Sequence, residues 1–129
     1  MNTKLLMTTN ALILGALGVA LSFLPQEIAR ALALQSDPIL LQLLGAGYMG
    51  FAMLNWMNKE KILGGIYGRP IVIANFAHFM IGGFALIKLV IKDASSTTLL
   101  IMTGVYVVFG LAFAFMAFTH PKLKNDQSD

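Results

Sequence analysis

The sequence predicts an all-α membrane protein, a four-helix transmembrane bundle with spans at about residues 5–24, 38–57, 70–91 and 98–119. Three observations predict it. Hydrophobic residues make up 57% of the chain and come in four long blocks, whereas charged residues make up only 12%; a soluble domain averages roughly one quarter charged. None of the six acidic residues falls inside a block. The segments between the blocks are short and hold most of the charge. A soluble fold of 129 residues lacks the interior volume to hide four such blocks, so the bilayer is the natural solvent.

Block one, Leu5 to Leu24, is flanked by Lys4 and Pro25. Twenty residues rising about 1.5 Å each span about 30 Å, the hydrocarbon thickness. Gly15, Gly18 and Ser22 recur at i, i+3 and i+7, a small-residue face suited to close helix packing. A signal peptide is the competing reading, because Ala31-Leu32-Ala33 resembles a cleavage site. The long apolar region and the polar spacer from Pro25 to Arg30 favour a retained span. From Pro25 to Gln35, Ile28, Ala29 and Leu32 share one helical side. A short interfacial helix and an ordered loop both fit that pattern.

Block two, Pro38 to Met57, starts with Asp37 as a helix cap and Pro38 in the first turn. It contains Gly45-Ala46-Gly47-Tyr48-Met49-Gly50, a literal G-x-G-x-x-G. The dinucleotide-binding form of that motif needs a preceding strand and a soluble βαβ unit. Inside an apolar helix its glycines serve the approach of a neighbouring helix instead. Trp56 stands at the block end, where an amphipathic ring favours the interface. The loop that follows, with Lys59-Glu60-Lys61 and Gly64-Gly65, reads as a solvated turn, with a gate or docking site as the alternative.

Block three, Pro70 to Ile91, places Asn75, His78, Gly82 and Ala85 on one face by their 3, 4, 3 spacing. Ile73, Phe76, Met80, Phe84 and Ile87 are expected to face lipid. Lys88 near the exit can snorkel to the headgroups. Asp93, Ser95 or Ser96 can cap block four, Thr98 to Thr119. There Thr103, Tyr106 or Val107, Gly110, Ala114 and Ala117 form a small face, and Phe109, Phe113 and Phe115 are expected elsewhere. His120-Pro121 ends the four-span domain, residues 1–121, and residues 122–129 read as a disordered polar tail.

Basic residues set the expected orientation. The N-terminus, second loop and tail share one side and hold Lys4, Lys59, Lys61, Arg69, Lys122 and Lys124, against Arg30, Lys88 and Lys92 on the other. The positive-inside rule then places both termini in the cytoplasm of a multi-pass cell-membrane protein. The net charge of +3 is accounted for by these block ends and by anionic headgroups. No basic patch interleaves with aromatics, so no nucleic-acid partner is expected. The chain has no cysteine, which excludes thiol catalysis, Cys-ligated zinc and iron–sulfur clusters.

Ionisable residues inside a span are functional candidates by default. His78 is the one well inside, eight residues past Pro70, which is about 12 Å along the axis. Asn75 is one turn away. Asn55 ends block two, and Tyr48 lies two turns before it on the same face. Asn10 sits about one and a half turns into block one. Tyr48, Asn55, Asn75 and His78 are thus the candidate ligand-binding residues, around a cytoplasm-facing polar pocket. A histidine there can titrate, relay a proton or hold a headgroup; equally, Asn and His can hydrogen-bond helix to helix.

No cofactor is expected. His120 at a membrane edge and His78 inside are poorly matched as a haem pair, and zinc lacks further ligands. The spans hold no carboxylate of the kind proton-coupled exporters use. No serine, histidine and carboxylate fall together as a catalytic set. The expected function is therefore non-enzymatic: an accessory, assembly or structural membrane subunit. The alternative is a small-molecule transporter or ligand-binding module using His78. The expected partners are the lipid bilayer and either another membrane protein or a second copy of the chain.

Overall fold

A computed structural model describes residues 2–31, 35, 37–60 and 68–119. The described residues are almost wholly helical: α1 (Thr3–Phe23), α2 (Pro25–Ala31), α3 (Pro38–Asn58), α4 (Arg69–Lys92) and α5 (Thr97–Phe118). Four of these, α1, α3, α4 and α5, are 21–24 residues long and apolar enough to cross a membrane, so the chain is a multi-pass membrane protein by length and composition. Each coincides with an expected block to within two residues. The loop at residues 61–67, Leu32 and Ala33 of the cleavage-like segment, His120 and the tail lie outside the described residues.

The helix ends follow from their caps. Asn2 Oδ1 accepts from the Leu5 N–H at 3.2 Å and starts α1. Asp37 Oδ1 accepts from the Ile39 N–H at 3.0 Å, and Pro38 opens α3 beside it. Ser96 Oγ accepts from the Leu99 N–H at 3.3 Å and caps α5. Each cap satisfies a donor that the first helical turn leaves over. Pro25 to Ala31 is helical, so of the two readings of that segment the structure has the helix rather than the loop. Pro25 is buried, Ile28 and Ala29 are half-buried, and Gln26, Glu27 and Arg30 are exposed.

The chain packs as two compact units, 1–61 and 62–129. In the first, α1 and α3 form an antiparallel hairpin. Its contact is backbone on backbone. A Cβ built on Gly18 falls 2.9 Å from the Met49 nitrogen and 3.0 Å from the Gly45 oxygen, and one built on Gly45 falls 2.8 Å from the Ser22 nitrogen. Only glycine lets the two helices come this close. Of the G-x-G-x-x-G glycines, Gly45 alone makes this contact; Cβ atoms at Gly47 and Gly50 meet nothing within 4 Å. At the hairpin's open end Lys4 Nζ lies 3.0 Å from Glu60 Oε1.

In the second unit α4 and α5 form another antiparallel hairpin, built on rings rather than on backbone contact. Phe79 stacks on Phe109 at 5.1 Å and on Phe113 at 5.9 Å, and meets Tyr106 edge-on at 5.1 Å. Each such pair contributes about 0.5–1.5 kcal/mol beyond its buried area.

This corrects the expected faces. The buried residues of α4 are Val72, Asn75, Phe79 and Gly83, one residue on from the expected His78 and Gly82 positions, and Ala85 is exposed. Phe76 and Met80 do not lie free on the lipid side. Phe76 packs edge-on against Phe118 at 5.7 Å, and the Met80 sulfur lies 3.4 Å from a Cβ at Gly110. On α5, Phe109 and Phe113 belong to the packing face together with Tyr106 and Gly110. Gly82 makes room for the Tyr106 ring, and Gly110 for the Met80 sulfur and Phe79.

Candidate functional site

The four candidate residues divide between the hairpins: Tyr48 and Asn55 stand on α3, Asn75 and His78 on α4. Tyr48, Asn55 and Asn75 are buried, and His78 is half-buried. Of the connection from Lys59 to Arg69, residues 61–67 lie outside the described residues.

In the α4–α5 hairpin the site is built from α4 outward. Arg69 and Pro70 form the first turn, where proline is tolerated because its missing N–H has no helical partner there. One turn on, Asn75 is wholly buried, and its Nδ2 donates to the Ile71 carbonyl at 2.9 Å. Three residues further, His78 Nε2 lies 3.3 Å from Tyr106 Oη across the hairpin. The tyrosine hydroxyl donates when the imidazole carries its proton on Nδ1, and accepts when Nε2 carries it. The two rings are 5.5 Å apart and tilted, and Phe79 closes one side of both.

Tyr106 was legible only as an optional member of a small face. The structure makes it the hydrogen-bond partner of His78. Gly82 gives it room, since a Cβ at that position would fall on the tyrosine ring. A glycine on one span with a tyrosine on the next was the available signal, and spacing alone does not reveal that the two meet.

In the α1–α3 hairpin the polar content is asparagine. Asn10 and Asn55 are both wholly buried. The antiparallel register set by Lys4–Glu60 and Gly18–Gly45 places Asn10 level with Asn55 on the facing helix. Asn10 thereby joins the buried polar residues of this hairpin, beside the candidates named from sequence. Asn58, three residues after Asn55 and the last residue of α3, donates its Nδ2 to the Leu54 carbonyl at 2.8 Å.

Among the described residues no three His, Asp or Glu side chains gather as a metal would require. Tyrosine, asparagine and imidazole side chains can bind a neutral or anionic polar group by hydrogen bonds, or join helices by the same bonds. Compared with protein families, curated proteins and solved structures, the chain finds no match.

Proposed function

We propose that this chain is a non-catalytic integral membrane protein, an accessory, assembly or structural component whose intramembrane polar residues hold helices together. The observation that carries this reading is the His78–Tyr106 bond at 3.3 Å, seated beside Phe79. The one histidine well inside a span is engaged across its own hairpin, where its partner is fixed by a glycine gap. Interhelical hydrogen bonds of this kind average about 0.6 kcal/mol in membrane proteins, enough to set register without dominating stability.

The proposed orientation has both termini in the cytoplasm, from the six-to-three excess of basic residues. The Lys4–Glu60 pair supports a shared side for the N-terminus and the end of α3. The partners are lipid and either another membrane protein or a second copy.

A second reading is a ligand-binding or transport module that uses His78 and Asn75. Its support is that the imidazole is half-buried rather than sealed, with the wholly buried Asn75 one turn away. Mass spectrometry of gently extracted protein separates the two. A stoichiometric small molecule held by the native chain and lost from His78→Gln overturns the structural reading. Unchanged bound species in His78→Gln support it.

A further inference from the structure

We infer that the α1–α3 hairpin carries a site for an anionic phospholipid at the far end of α3, with the phosphate at Lys59 and an acyl chain in the apolar groove beside it. The groove has a volume of about 230 Å³ and is lined by Ala11, Ala52, Met53, Trp56 and Met57. Ala11 and Ala52 are buried and make the floor; their single methyl groups leave the depression. Met53, Trp56 and Met57 are 60%, 47% and 72% exposed and stand as its walls.

The rim of this groove is cationic. Lys59 lies one turn beyond Trp56, and its Nζ sits 3.0 Å from the centroid of the indole. The ring takes one side of the ammonium and leaves its other N–H donors for a phosphate oxygen. Glu60, the nearest carboxylate in sequence, is taken up by Lys4 at 3.0 Å. Lys4, Lys59 and Glu60 therefore leave one net positive charge at this helix end.

Depth gives the occupant. Trp56 belongs at headgroup level, where amphipathic rings settle. Ala52 lies one turn deeper, about 6 Å further into the hydrocarbon. Passing inward, a molecule meets an ammonium, then an aromatic ring, then small apolar floor and methionine walls. A glycerophospholipid presents phosphate, ester and acyl chain in the same order. A net anionic headgroup suits the rim better than a zwitterionic one, whose own cation is repelled by Lys59. The flexible thioether walls adapt to an acyl chain of variable shape. The site's chemistry does not depend on the orientation proposed above, which decides only the leaflet.

The test is native mass spectrometry of the full chain in mild detergent, with added phosphatidylglycerol or phosphatidylcholine of matched acyl chains. One phosphatidylglycerol should be retained in preference to phosphatidylcholine. Lys59→Gln should lower that retention about five-fold, the contribution of one lysine near an anionic headgroup, and Lys59→Arg should keep it. Trp56→Ala should also weaken retention, and soluble glycerol phosphate, which lacks the chain, should not bind. An unchanged melting temperature for Lys59→Gln certifies its fold. Equal retention of the two lipids, no effect of Lys59→Gln, or a dimer that excludes lipid from the groove overturns the proposal.

Discussion

The ring of Tyr106 occupies the space that a side chain at position 82 would need, since a Cβ built on Gly82 falls against its Cδ1 and Cε1 atoms. Gly82 therefore decides where the tyrosine lies, and with it the bond to His78. Tyr106 is buried and held against Phe79 at 5.1 Å, so its ring cannot yield without disturbing that cluster. Gly82→Ala is expected to destabilise the protein by about 1–3 kcal/mol, the range for overpacking a filled interior. Gly104→Ala, whose Cβ meets nothing within 4 Å, is the control and should melt like the native chain. Thermal unfolding in detergent, read by circular dichroism, checks both.

The first hairpin should be less forgiving. Around Gly18 and Gly45 the obstructing atoms include backbone nitrogen and oxygen at 2.8–3.0 Å, and no rotamer change removes them. Gly45→Ala must force α1 and α3 apart, at a cost of about 1–3 kcal/mol or more. Gly47→Leu and Gly50→Ala, in the same glycine run, should be tolerated because their faces are open. The expected ordering is that Gly45→Ala lowers the melting temperature while Gly47→Leu leaves it in place. Equal losses at positions 45 and 47 would mean that the run acts through something other than α1 contact.

The spans were legible because the bilayer sets a length and a polarity that any sequence must meet. Asp37-Pro38 was legible as a helix start, and Ser96 as one of three candidates with Asp93 and Ser95, for a local reason, since a cap needs only its own next turn. Asn55 and Asn75 stood out because an amide in lipid is costly, and both are buried. The packing face of α4 and α5 was not legible. Phe79, Phe109 and Phe113 are as compatible with lipid as with each other, since acyl chains are as apolar as a protein interior. Only the meeting of α4 with α5 distinguishes them, and there Gly82 lies against the Tyr106 ring while Gly110 lies against the Met80 sulfur and Phe79. The Tyr106 partner of His78 was hidden for the same reason.

The His78–Tyr106 bond should be measurable as a coupling. Tyr106→Phe keeps the ring among its neighbours and removes only the hydroxyl. His78→Phe removes the other partner while keeping an aromatic ring beside Phe79. A double-mutant cycle in detergent is expected to give a coupling of about 0.6 kcal/mol, with about 1.7 as the upper end for such bonds. Additive single-mutant losses would show that the two groups contribute to stability independently, and the interhelical role proposed for His78 would fall with the coupling.

At the open end of the first hairpin, acid should break what neutral pH holds. Lys4 donates a hydrogen bond to Glu60 at 3.0 Å. That bond, then the charge of Lys4 and the weaker influence of Lys59, holds the Glu60 carboxyl below its ordinary value of 4.5. A lowered pKa in the folded state means that the folded chain favours the ionised form. The contribution is therefore fully present above 4.5 and is lost as pH falls through the lowered value. Both side chains are more than half exposed, at 62% and 69%, so the effect is modest and screened by salt. Hairpin stability should be flat from about pH 6 to about pH 8 and decline on further acidification. In Lys4→Gln the acid-dependent part should shrink, and the Glu60 carboxyl, followed by carbon-13 NMR, should titrate closer to 4.5. A Glu60 titration that Lys4→Gln leaves unmoved would assign the shift to another cause.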